Sequence, residues 1–271
     1  MSLRYKLLIL MLAITGLSLA TALALAVRLF KQDKIASISD SSIAISKGLA
    51  NQVKTELHMH SAQMSFFVSG FDFNKKEFNA NAQSLFEKND DLIQVSLSKW
   101  NGNAYEAVAT LKKPDFESEK NKGLSPLIEQ VQRQALEDTI SFKVVGPDAN
   151  LLVFSQKVLM AGDPAAYVVT SVDHEEGLAL ILKKSPNYEN FIVRSNGQVL
   201  LQSRISAPIT TLSGWEFFEK INTDSSPEGA EETLNLFNQP SLVSFSKLGT
   251  SNLVSISIIE KRILFKLLKL L

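Results

Sequence analysis

The longest apolar run in the chain lies near its start. From Leu7 to Val27 there are 21 consecutive uncharged residues, LLILMLAITGLSLATALALAV. As a helix rising ~1.5 Å per residue, this run matches roughly the ~30 Å of a bilayer core, which predicts a membrane-inserted segment. After it the pattern becomes amphipathic. Between Phe30 and Val68 no proline or strong turn signal occurs, and Ile35, Ile38, Ile45, Leu49, Val53 and Leu57 recur at helical steps. This predicts one long helix rising from the membrane and ending at Gly70. The other faces of that helix are rich in alanine, serine and glutamine. They suit a helix that packs on its own domain along one stripe and pairs with a second copy along another, although a core helix without dimer contacts has the same pattern.

Downstream the period alternates between 3.6 and 2. Lys75 to Lys88 reads as a short helix with Phe78, Ala82, Leu85 and Phe86 on one side. Leu92 to Lys99 and Tyr105 to Leu111 read as strands around the turn Trp100-Asn101-Gly102-Asn103. A charged loop (112–123) leads into a helix from Leu124 to Asp138. Three strands follow, Thr139 to Val145, Leu151 to Met160 and Ala165 to Val172, separated by turns at 146–148 and 162–164. Asp173 and Glu176 have the spacing of a capping box, which predicts a helix to about Lys184. The order then repeats: strands Asn190 to Arg194 and Gln198 to Ser203 around Ser195-Asn196-Gly197, a helix at Trp215 to Ile221, and strands near 230–237, 241–248 and 253–259. Twice the chain runs hairpin, helix, three-strand meander. The predicted class is α+β: an N-terminal transmembrane helix continuing into a long helix, with two tandem antiparallel five-stranded sheets. Alternating strands such as SLVSFSKL and LVSISII argue against a doubly wound parallel sheet.

Composition sharpens this picture mainly through charge layout. The chain has 28 basic and 28 acidic residues and no cysteine. Balanced charge disfavours a nucleic-acid partner that relies on a basic surface, and the missing cysteine excludes disulfides, thiolate metal sites and a thiol nucleophile. The zero is unevenly distributed: +2 over residues 1–27, −6 over 28–260 and +4 over 261–271. An acidic exported body thus sits between two basic ends that meet anionic headgroups. Arg4 and Lys6 precede the span while Arg28, Lys31 and Lys34 follow it, so orientation rests on the ability of a long C-terminal domain to translocate, with the N-terminus cytoplasmic. Cleavage as a signal peptide after Ala22-Leu23-Ala24 or Ala24-Leu25-Ala26 is the alternative, and it too exports the remainder.

No catalytic arrangement is present. There is no Gly-Lys-Ser/Thr phosphate loop, no Gly-x-Ser-x-Gly elbow and no His-Glu-x-x-His. His58 and His60 are two apart, which on a helix turns them about 200° from each other and prevents a shared metal. His174 lies in the capping-box segment. No metal, cofactor or enzymatic activity is expected for these residues. The candidates for a ligand pocket are the polar and aromatic groups of the first sheet and its helix: Trp100, Tyr105, Arg133, Lys143 and Asp173. Trp215, Phe217 and Phe218 read as core.

This order of elements resembles the double Cache module, the extracytoplasmic sensor region of bacterial chemoreceptors, sensor kinases and, especially, membrane adenylate and guanylate cyclases. The resemblance rests on the strand-to-helix junction AAYVVTSVDHEEGLALIL, the PAS-like hairpin NFIVRSNGQVLLQS and the closing segment LVSISIIEKRILFKLLKLL, and it covers essentially the whole chain. It implies a cytoplasmic N-terminus and span (1–29), a signalling helix (30–70), a membrane-distal PAS-like module (71–184), a membrane-proximal one (185–260) and the start of a second membrane or amphipathic helix (261–271). It also implies a small-molecule ligand, a homodimer through the long helix, and a periplasmic body on the inner membrane. In one respect the chain departs from the family. The Arg-x-Trp-Tyr cluster with which amino-acid-binding members clamp a carboxylate is missing, since Arg133 is followed by Gln134-Ala135. The nine residues ILFKLLKLL span only ~14 Å as a helix, which favours a receptor continuing into a second span and an output domain over a surface helix. The competing function is an envelope-anchored binding protein without signalling output.

Overall fold

The computed structural model describes residues 3–114, 124–145, 151–159, 167–174, 187–203, 209–249 and 252–263. The turns expected at 146–148 and 162–164, most of the 112–123 loop, the helix expected up to Lys184 and the last residues of the chain lie outside them. The predicted span and long helix form one continuous helix, α1 (Leu3–Ser69), which at ~1.5 Å per residue is about 100 Å long. Its first part packs against nothing: Leu17 and Leu19 are 71% and 73% exposed, and leucines, isoleucines and methionines remain exposed on every side as far as Phe30. This stretch is long and apolar enough to cross a membrane.

Further along, α1 buries one stripe, Ser42, Ser46, Leu49, Val53, Leu57, His60, Met64 and Phe67, at steps of three and four. Ile45 and Ile38 are half-buried beside it, whereas Ile35 is exposed, because the stripe meets protein only from Ile38 onward. The Gly70 N–H bonds the Phe66 carbonyl and closes the helix.

The predicted helix over Lys75–Lys88 is shorter. Lys75 lies in the tight turn of a small hairpin, β1 (Phe71–Asp72) with β2 (Glu77–Phe78), in which Phe78 pairs with Phe71 and Lys76 takes a φ of 58°. Helix α2 (Ala80–Lys88) begins only where the Asn79 side chain accepts the Ala82 N–H. An N-cap with a free carbonyl acceptor outweighs a short apolar periodicity.

The distal sheet comprises β3 (Leu92–Trp100), β4 (Tyr105–Lys112), β5 (Ile140–Val145), β6 (Leu151–Val158) and β7 (Tyr167–His174), in the order β4-β3-β7-β6-β5. All pairs are antiparallel, and α3 (Leu124–Asp138) crosses one face. The proximal sheet comprises β8 (Glu189–Arg194), β9 (Val199–Gln202), β10 (Glu228–Leu234), β11 (Pro240–Lys247) and β12 (Leu253–Glu260). Its order is β10-β11-β12-β8-β9, and α4 (Glu216–Thr223) crosses one face. Each module thus places its meander beside its opening hairpin, and the predicted α+β class with two antiparallel five-stranded sheets is borne out. Both hairpin glycines have positive φ, 97° at Gly102 and 86° at Gly197. At Gly197 a Cβ would lie 2.7 Å from the Ser213 backbone nitrogen, so the position requires glycine twice over.

Several strand boundaries also moved, two of them for visible reasons. Strand β10 ends at Leu234 because the Asn235 carboxamide oxygen accepts the Phe237 and Gln239 N–H groups and turns the chain. Strand β7 continues through His174, so Asp173 is a strand residue paired with Leu92 and Leu152, and the helix expected to follow it lies outside the described residues. Its carboxylate is buried and accepts from Ser171 Oγ at 2.8 Å. The main core runs along α1 and joins distal residues such as Val95, Leu97 and Phe154 with proximal Ile192, Leu200 and Leu253. The two sheets are therefore fastened to one helix through one continuous apolar layer.

Candidate functional site

Strand parity and register together create the most distinctive feature of the distal module. Thr110 pairs with Ser96, Ser96 with Thr170, Thr170 with Ser155, and Ser155 with Ser141. A row of hydroxyl side chains therefore crosses all five strands on the face toward α3. Ser96, Thr170, Ser155 and Ser141 are buried. Serine is poor strand-core material, and such a row costs apolar burial that valine would supply.

Helix α3 covers the row with a polar residue of its own. Gln132, 5% exposed, donates from Nε2 to Thr170 Oγ1 at 3.1 Å and to Ser98 Oγ at 3.3 Å. Thr170 and Ser155 share a hydrogen bond at 2.9 Å. The rest of α3 is held by an apolar cluster of Leu124, Val131, Val153 and Val172. The Gln132 carboxamide thus supplies the donors that the hydroxyls of Thr170 and Ser98 accept.

Three of the five sequence candidates meet at one end of this shelf. Trp100 and Tyr105 pair across the hairpin with ring centroids 5.0 Å apart, and the Arg133 guanidinium lies 5.9 Å from the Trp100 ring centroid. Tyr105 Oη donates to the Gln132 carbonyl at 3.0 Å. Burial pushes the Tyr105 phenol up to about 12, partly opposed by the Arg133 charge. Arg133 is itself exposed and paired with Glu129 at 2.7 Å.

The other two candidates lie elsewhere. Lys143 is half-buried on the same face but on β5, at the far edge of the sheet. Asp173 is on the opposite face, under α1, with His60 Nδ1 3.5 Å from its carboxylate. His60 is buried and stacks on Phe154, while His58 points outward, in accord with their two-residue spacing. Sequence reasoning missed the hydroxyl row and Gln132. The signal for the row was present as Ser and Thr at alternate positions of several strands, yet only the register aligns them.

No family model matches the sequence, and no curated protein matches it. The fold, however, matches solved structures. The extracellular domain of soHK1S-Z6, a chain classed as a histidine kinase, superimposes with a TM-score of 0.58 at 12% identity, covering 87% of this chain and 98% of that one. The ligand-binding domain of the Pseudomonas fluorescens chemoreceptor CtaA, solved with L-isoleucine, gives 0.57 at 15% identity over 89% and 98%. The periplasmic domain of RsbU from Chlamydia trachomatis gives 0.54 at 14% identity over 87% and 97%. At such identities the likeness establishes the fold, which is that of extracytoplasmic sensor domains, as the double Cache resemblance implied.

Proposed function

We propose that this chain is the extracytoplasmic ligand-sensing region of a membrane-bound signalling receptor, and that a small polar molecule binds on the hydroxyl shelf beneath α3. The carrying observation is the buried row Ser96, Thr170, Ser155 and Ser141 under Gln132, with Gln134 on Ser141 and Trp100, Tyr105 and Arg133 at the other end. The equivalent crossing helix of the proximal module, α4, packs on its sheet through an apolar layer instead. Domains of this fold hold L-isoleucine in CtaA and asparagine in the Mlp24 ligand-binding domain, which supports a small-molecule role.

The rest of the mechanism follows from α1. It runs unbroken from the apolar, exposed segment into contact with both sheets, so a ligand that repositions α3 and β7 also shifts what α1 packs on. A face of α1 opposite the buried stripe carries Gly48, Thr55 and Ala62 with Met59 and Phe66, which are 57% and 43% exposed; this supports a homodimer through the long helix. The output domain would lie on the cytoplasmic side.

The test is a thermal-shift screen of metabolites against the full chain in detergent. A stabilising ligand whose effect is lost in Arg133→Ala and Thr170→Val supports the site. If no metabolite shifts the transition, or if the shift survives both substitutions, the assignment fails. Since the chain has no cysteine, Met59→Cys tests the dimer directly by disulfide cross-linking.

A further inference from the structure

A cavity lies at the waist between the two modules, away from the shelf. It has a volume of about 490 Å³, within the size range of small-molecule pockets. Three parts of the fold meet around it: α1, the junction of α3 with β5, and the turns at one end of the proximal sheet.

Its chemistry is specific in three ways. The charges are balanced, with Lys54 and Arg194 against Glu137 and Asp138. The wall also carries four carboxamides, Gln134, Asn196, Gln198 and Asn252, and an apolar floor that includes Leu57 and Phe142. Arg194 is the anchor. It is 8% exposed, ion-pairs through Nη1 with Asp138, and donates from Nη2 to Ser141 Oγ at 2.7 Å. Its Nε–H is buried with no hydrogen-bond partner among the described residues. A buried guanidinium N–H without an acceptor is costly, and a carboxylate or carbonyl oxygen that reaches it on a small shift of the Arg194 side chain is what would satisfy it. Gln134 and Gln198 span the waist with a contact of 3.4 Å, long for a hydrogen bond and readily exchanged for one to a ligand.

We propose that this waist cavity is a second ligand site that takes a zwitterion of dipeptide size. With Arg194 and Asp138 paired to each other, the terminal carboxylate pairs with Lys54, the terminal ammonium with Glu137, the carboxamides with the peptide group, and the side chains lie on the apolar floor. A single free charge is disfavoured because the lining carries as much of one sign as of the other. Ser141 is the last member of the hydroxyl row and also holds Arg194, so the two sites are joined by one residue.

The test is calorimetric titration of the full chain in detergent with L-leucyl-L-alanine. Its N-acetylated and C-amidated forms and free leucine serve as probes lacking one charge or the peptide group. Each altered probe is expected to bind about tenfold more weakly or worse. Gln198→Ala and Glu137→Gln should weaken the dipeptide by about fivefold or more, whereas Arg133→Ala leaves it unchanged. Absence of dipeptide binding at about 10 mM, binding indifferent to acetylation and amidation, or binding lost in Arg133→Ala but kept in Gln198→Ala overturns the proposal. Response to a metabolite through the shelf alone removes the waist site and leaves the first reading intact.

Discussion

The two modules share a strand order and a crossing helix but distribute polarity in opposite ways. In the distal module the face under α3 is lined with hydroxyls, and the face under α1 is built mainly from apolar residues such as Val95, Leu97, Phe142 and Phe154, with Asp173 and Ser171 facing His60 at one place. In the proximal module the face under α4 is apolar, with Phe217, Phe218 and Ile221 packed on Phe191, Val243, Val254 and Ile256. Its polar face lies under α1, where Ser244 pairs with Ser257 and Ser246 with Ser255. There Ser42 and Ser46 of α1 lie 2.8 and 2.7 Å from Ser244 Oγ. Small side chains let the helix approach the sheet closely, and the hydroxyls can exchange partners over short distances. One module thus keeps its polar layer under its crossing helix, the other under α1.

The comparison can be broken at four points, from the largest expected effect to the smallest. Phe218→Ala should destabilise the proximal module by about 3–5 kcal/mol, because it opens a void in an apolar layer. Chemical denaturation of the full chain checks this, and a loss below about 1 kcal/mol would show that α4 is not packed as described. Ser244→Leu should cost about 1–3 kcal/mol by forcing α1 off the sheet. Ser244→Ala removes only hydrogen bonds and should cost about 1 kcal/mol; equal losses for the two would mean that close approach is not what the serines provide.

Gln132→Leu should cost about 1–2 kcal/mol by leaving the Thr170 and Ser98 hydroxyls without their amide donor. Pairing it with Thr170→Val should recover part of that loss, and purely additive losses in the double-mutant cycle would refute a shared network. The smallest effect is at Tyr105. Its folded-state pKa is raised from 10.0 to about 12, so its contribution to stability is present below pH 10 and lost as pH rises through the folded value. The phenolate absorbance that Tyr105→Phe removes should therefore emerge near pH 12. A midpoint near 10 would place the phenol in water.

Much of this was legible without tertiary information because it depends on neighbours in sequence. The apolar run from Leu7 to Val27, the stripe Leu49, Val53 and Leu57, the α3 boundaries and the Asn-Gly turns all follow from local period and turn chemistry. So does the twofold order of hairpin, helix and meander. The clustering of Trp100 with Tyr105 was within reach too, since a tight hairpin sets its own register.

What the chain alone could not reveal depends on which strands lie side by side. Parity assigns Ser96, Ser155 and Thr170 to one face of their own strands, but only the order β4-β3-β7-β6-β5 aligns them in a single row. Asp173 is a second case: pairing with Leu92 and Leu152 places it in β7 with its carboxylate 3.5 Å from His60 Nδ1, a contact that its sequence neighbours do not announce. Arg194 and Asp138, 56 positions apart, gave no sign of each other, and their ion pair exists because the waist brings the end of α3 onto the proximal hairpin. Local periodicity determined the elements of this protein and its long apolar N-terminal helix; the long-range register decided where its polar groups, and with them its candidate sites, are buried.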